Sequence, residues 1–149
     1  IISENKSKNK TTFDFKDGKG PVPAHQHPYG GGWVADTASV DKYVQVAKNA
    51  RVYGNARVSG NVMITMNAQV YGNARVEDYA LVYGDAKVYG DARVYDEAQI
   101  YMSAEVFGNA EVFGNAEVLR KARVYGNAKV YGRAKVSNKV VKGNEEIGQ

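Results

Sequence analysis

The sequence predicts an all-β fold, a single-domain parallel β-solenoid, from three observations. First, a Val or Ile recurs every six residues from Val34 to Val136, at all eighteen positions and with no insertion between them. Second, a small or aliphatic residue stands two places before each: Gly32, Ala38, Val44, Ala50, Ala56 and Val62, then alanine at every step from Ala68 to Ala134. Third, successive units are separated by Gly-Asn, Gly-Asp or a close relative, as in NARVYGNARVSGN at residues 49–61. Self-similarity at one short, fixed period marks a stacked array.

Each unit reads A-x-V-Y-G-N. Alternation over its first four residues puts Ala and Val on one face and x and Tyr on the other, as in a short strand. The Gly-Asn or Gly-Asp that follows tolerates positive φ and so supplies a corner. Short strands joined by two-residue corners in one constant direction cannot build hairpins with a regular inward face. They can coil, each unit pairing with the unit one turn away. Helix is disfavoured, because Gly recurs at the corners, Val favours strands, and a period of six fits neither a helix nor a coiled coil.

These units resemble the hexapeptide repeat of left-handed parallel β-helix proteins, over about residues 32–137. The resemblance implies three units per triangular coil, so eighteen units imply about six coils. It also implies a homo-oligomer, a trimer above all, since such proteins commonly trimerise along their axes. The opening GGGWV at residues 30–34, leading into VYGNA units, is similar to uncharacterised bacterial and phage members. That likeness points to an accessory or inhibitor protein in the cytoplasm, the host cytoplasm if phage-encoded.

Along the chain, residues 1–12 are polar and Lys-rich and read as a disordered tail rather than a secretory signal. Residues 13–33 hold all three prolines, Pro21, Pro23 and Pro28, and read as an irregular N-terminal cap, with Trp33 or Tyr29 covering the open end. Residues 34–137 form the coils. Stepping on by six lands on Lys142, so the array is expected to stop after Val136, leaving residues 138–149 as a C-terminal cap or tail.

With three faces taken from the resemblance, stepping by eighteen sorts the outward residues. The first face stacks Tyr53, Tyr71, Tyr89, Phe107 and Tyr125, beside Arg51, Gln69, Lys87, Glu105 and Arg123. The second stacks Asp41, Ser59, Glu77, Tyr95, Phe113 and Tyr131, beside a basic stripe of Arg57, Arg75 and Arg93 and then Glu111 and Lys129. The third projects Met63, Leu81, Tyr83, Tyr101 and Leu119, with Met66 and Met102 at its corners. Such ladders stabilise a solenoid by themselves, and they also suit a partner surface. The third face is the least polar, hence the expected interface. Acidic interruptions at Glu77 and Glu111 disfavour nucleic acid on the basic stripe.

Composition excludes several classes. There is no cysteine, hence no disulfide and no thiolate metal site. A mean hydropathy of −0.47 and the lack of a long apolar run exclude a membrane-spanning helix. The net charge of +4 permits an anionic partner without predicting one. No cofactor is expected. His25 and His27 are the only histidines, and a His-x-His pair on extended chain is a weak candidate metal site lacking a third ligand. The acyltransferases that share the resembled fold use a histidine in or beside the coils, and its carbonic anhydrases use three from adjoining coils. No coil here contains one, and the Thr-x-Thr ladders of ice-binding helices are missing too. The expected function is therefore non-enzymatic, a binding or scaffold module presenting aromatic and charged ladders to a macromolecular partner or to its own copies. The alternative is a hexapeptide-type acyltransferase using His25 or His27 at a subunit interface.

Overall fold

The computed structural model describes residues 11–148. The expected tail therefore lies outside the described residues, apart from Thr11 and Thr12. Among the described residues everything regular is strand and turn, arranged as three sheets that wind into a β-solenoid of about six turns. The first face carries Trp33–Ala35, Arg51–Val52, Gln69–Val70, Lys87–Val88, Glu105–Val106, Arg123–Val124 and Val140–Val141. The second runs from Ser39–Val40 through Arg57–Val58, Arg75–Val76, Arg93–Val94, Glu111–Val112 and Lys129–Val130 to Glu146–Ile147. The third runs from Gln45–Val46 through Met63–Ile64, Leu81–Val82, Gln99–Ile100 and Glu117–Leu119 to Lys135–Ser137. Within the coils pairing is parallel and eighteen residues apart, as in Lys87 with Gln69 and Glu105.

The inward register is as the repeat demands. Val52, Val58, Ile64 and their successors to Val136 are essentially inaccessible, and the alanines two places earlier line the rest of one continuous core. The interior is narrow, so one branched side chain and one methyl per strand fill it. At the corners Gly54, Gly72, Gly90, Gly108 and Gly126 take positive φ and stack on one another. A side chain on Gly72 would come 2.9 Å from the Gly90 nitrogen. Where Asp78 and Asp96 replace glycine at a positive-φ corner, each carboxylate accepts from an N–H of the next coil, Asp96 and Gly114 respectively, at 3.0 Å. Aspartates at corners thus serve the backbone, as expected.

The array does not stop at Val136. Arg123 pairs with Val140 and Val124 with Val141, seventeen residues on instead of eighteen, and Lys129 then pairs with Glu146. One corner residue is missing. Asn138 turns alone at φ 58°, and Lys139 takes the slot that alanine fills elsewhere, its carbonyl accepting from Arg123 N–H. Fixed steps of six run past such a shortening, which is why Lys142 looked like the end.

The N-terminal segment contains two strands, Thr12–Asp14 and Pro21–Gln26, paired antiparallel and added to the top of the first face against Trp33–Ala35. Ala35 stands where later coils carry a ring, and its small side chain leaves room for Phe15. Phe15 stacks on Tyr53 with ring centroids 4.8 Å apart, while Phe13 stacks on Trp33 at 4.7 Å. The open end is not covered by Trp33 or Tyr29. Trp33 occupies the outward x position of its unit, and Tyr29 is half exposed. The chain instead crosses the top of the third face at residues 27–32. Gly32 N–H donates to the Val46 carbonyl and Val46 N–H donates to the Tyr29 carbonyl. Any side chain on Gly30 or Gly32 would collide with the Val46 and Ala47 backbone, which accounts for the glycine run.

Candidate functional site

The outward ladders have the expected geometry. Successive rings from Tyr53 through Tyr71, Tyr89 and Phe107 to Tyr125 lie 4.7–4.9 Å apart, with interplanar angles of 2–11°. Tyr95, Phe113 and Tyr131 form a second stack, and Tyr83 with Tyr101 a third. Five of the hydroxyls also find a fixed partner sixteen residues on, in the next coil of their own face. Tyr89 donates to Glu105 at 2.7 Å, Tyr95 to Glu111 at 3.0 Å, and Tyr101 to Glu117 at 2.6 Å. Tyr53 and Tyr83 donate to Gln69 and Gln99. Burial and then the Glu111 carboxylate push the Tyr95 phenol up to about 12. The Glu117 hydrogen bond, followed by burial, does the same for Tyr101. The aromatic ladder of the first face is therefore tied into the fold, and its top member Tyr53 is buried under Phe15.

The third face differs. Of the seven large hydrophobic residues that stand exposed among those described, five lie on it or on its two corners: Met63 on the strand, Tyr43 and Tyr79 on one corner, Met66 and Met102 on the other. Leu81 sits half-buried in the middle, beside a shallow cleft of about 390 Å³ lined with Tyr79, Glu97, Gln99, Asn115 and Glu117. Leu119 does not project as expected: it is 7% exposed. Its strand runs a residue longer than Gln99–Ile100 above it and carries the pairing on to Ser137 in the three-residue strand below. The patch consequently ends above it and spreads sideways to the corners. Tyr43 and Tyr79 were the members missed in sequence. Their signal was a tyrosine where the corner otherwise carries Asn, Glu or Arg.

The two corner methionines hold a further clue. Met66 and Met102 both adopt φ 58°, in a column where Gly84 between them takes φ 69°. A non-glycine residue there costs about 1–2 kcal/mol. Methionine has none of the local hydrogen bonding that excuses Asp or Asn, and the column continues with Arg120 at φ 59°, so this corner projects long side chains, apolar ones beside the third face, at the expense of backbone strain.

The histidines are occupied otherwise. His27 is 4% exposed, and its Nε2–H donates to the Val44 carbonyl at 2.7 Å. In later coils the equivalent carbonyl accepts an N–H from the coil above, as Val62 does from Gln45. At the top no coil remains, and His27 supplies the missing donor. Burial holds its pKa below the usual histidine range. His25 lies on the neighbouring strand with Nδ1 2.7 Å from an Asp36 carboxylate oxygen. Among the described residues no three of His, Asp and Glu converge as metal ligands. The basic stripe stands in register, Arg57 beside Arg75 beside Arg93, with Arg93 3.4 Å from Glu77. Among the described residues no helix is long and apolar enough to cross a membrane.

Comparison with known proteins agrees with the geometry. The family described as the YdcK β-solenoid repeat matches residues 50–65 and 68–85, which are the second coil and the third. No curated protein and no solved structure matches the chain. The likeness is to a repeat, and it carries the solenoid architecture without an activity.

Proposed function

We propose that this β-solenoid repeat protein is a non-enzymatic binding module whose third face docks a protein surface, in the first place the same face of further copies. The observation that carries the reading is the strained placement of Met66 and Met102 beside Met63, Leu81, Tyr43 and Tyr79. A solenoid has no second layer to cover this stripe, and each Å² of apolar surface left in water forgoes about 25 cal/mol. Methionines fill irregular gaps against a partner, and tyrosines anchor. The first face offers less, because its rings are committed to Gln69 and Glu105 and its top lies under residues 13–15. The engagement of His27 with a structural carbonyl supports this reading over a transferase.

The three faces of a triangular prism suit a ring of copies packed with parallel axes, and a trimer is the form proposed. Light scattering tests it. Wild type should be oligomeric at micromolar concentration, and Leu81→Glu combined with Tyr83→Glu should give a folded monomer. A wild type that stays monomeric at high micromolar concentration refutes self-association.

A further inference from the structure

All of the sulfur in this chain lies on one surface. There is no cysteine, and the three methionines are Met63, Met66 and Met102. Methionine commonly fills irregular gaps in a core. Here the continuous core of the described residues is built of valine, alanine and isoleucine alone. Met63 is 41% exposed, Met66 61% and Met102 46%, so every thioether is open to a small reagent. Met63 stands on a third-face strand, and the other two stand on the corner that leads from that face to the first. Met66 and Met102 hold their exposure at positive φ. Apolar area by itself does not call for sulfur, since Leu81, Tyr43 and Tyr79 supply it on the same patch.

We infer that Met63, Met66 and Met102 are sites of reversible oxidation by hydroperoxides, and that their conversion to sulfoxides releases the copies docked on the third face. The inference rests on the docking role proposed for that face. The reaction needs nothing from the protein beyond access. A sulfur lone pair attacks one peroxide oxygen, the O–O bond breaks, and water (or an alcohol) leaves. Sulfur is oxidised by two electrons and the peroxide is reduced by two. No thiol in the chain intercepts the oxidant. The product is polar, and disrupts a methionine-rich interface. Pressed against an apolar partner, each sulfoxide oxygen must find a donor or stay unsatisfied. The coils do not feel the change, because no methionine is a core residue. Methionine sulfoxide reductases return the thioether, so the change is a switch rather than damage. Docking also covers the thioethers. Oxidation therefore draws on free copies and holds them free, by ordinary mass action.

Hydrogen peroxide tests the inference on the full chain. Wild type is treated until peptide mass spectrometry finds one added oxygen on each methionine, then followed by light scattering and circular dichroism. The oxidised protein should be a folded monomer, and should reassemble after both methionine sulfoxide reductases with dithiothreitol. The concentration needed for assembly should rise by roughly tenfold for each sulfoxide the interface would bury. Oxidation should also slow as protein concentration rises. Met63→Leu combined with Met66→Leu and Met102→Leu should make assembly, at the strength that variant retains, indifferent to peroxide. A wild type that is monomeric before any oxidant refutes self-docking, and the switch falls with it. A wild type that is oligomeric, and stays so once all three methionines carry oxygen, overturns the switch alone. So would dissociation that the reductases fail to reverse, or loss of the folded spectrum on oxidation.

Discussion

Replacing Val88 by Asp puts the inward register at risk in a single step. Val88 lies in the fourth coil, wholly inaccessible, with Val70 above and Val106 below in the same ladder. Removing a fully buried valine side chain forfeits about 2 kcal/mol. A carboxyl group there, even protonated, finds no free partner among alanines and valines, which adds about 2–4 kcal/mol. The sum, about 4–6 kcal/mol, rivals the whole stability of many domains. Val88→Ala, which loses only the packing, should cost about 2 kcal/mol. The excess should also depend on pH. Burial raises the pKa of the introduced carboxyl above its unfolded value near 3.9, so over the window above about pH 4 the native state holds a proton that the unfolded chain releases. Stability relative to wild type then falls as pH rises, and the deficit is smallest at the acid end. Urea unfolding followed by far-ultraviolet circular dichroism, at pH 4 and pH 7 for all three proteins, measures each quantity. A variant that unfolds with the wild-type midpoint would refute the inward assignment. A deficit that shrank toward neutral pH would refute the account of its cause.

Met66→Gly with Met102→Gly should raise the unfolding midpoint slightly, a gain of up to about 1 kcal/mol per site from relieved backbone strain, while weakening self-association in light scattering; a loss of stability would show that the methionines serve the fold. Although neither histidine lies in the repeat, His27→Ala should destabilise the protein by about 1–3 kcal/mol because the Val44 carbonyl loses its buried donor. His25→Ala should change little, and urea titration of the two side by side decides. Tyr95 and Tyr101 should ionise only near pH 12, and the excess of their folded pKa over the unfolded value near 10 means that stability is lost as pH rises through that window. Phenolate absorbance should show Tyr101 titrating earlier in Glu117→Gln, and an unchanged curve would exclude the Tyr101–Glu117 bond.

The coils were legible because their cause is local. Any residue two before a valine in this frame must be small, and the sequence displays that rule from Ala50 to Ala134 without exception apart from Val62. The ladders followed from the same count. What escaped depends on displacement rather than period. Tyr89 reaches Glu105 and not its register mate, since a side chain leaning along the strand meets the x position of the next coil. Phe15 fills the space above Tyr53 from outside the array altogether, and only Ala35, the one small residue atop the ring column, hinted at a vacancy. Asn138 hid the last two strands by dropping a residue. On the third face alternation identified Met63, Leu81, Tyr83 and Tyr101, but the corner count took in only Met66 and Met102, so Tyr43 and Tyr79 on the opposite corner were passed over. Alternation also left Leu119 exposed, whereas that residue is buried in a strand that pairs on to Ser137.

That dropped residue sets the terms on which such a chain can change length. Each coil bonds only to the coil above and the coil below, so excising eighteen residues anywhere between Ala50 and Ala134 rejoins valine to valine and corner to corner. Excising one in the middle would shift every later valine out of the prism, the fate of any strand slipped by a single place. At Asn138 the loss is borne because only Val140–Val141 and Glu146–Ile147 follow, and the new corner restores the frame before they pair. The protein's size is thus quantised. A longer or shorter relative should differ by whole coils, and a coil gained or lost below Met102 would leave the third-face patch unaltered.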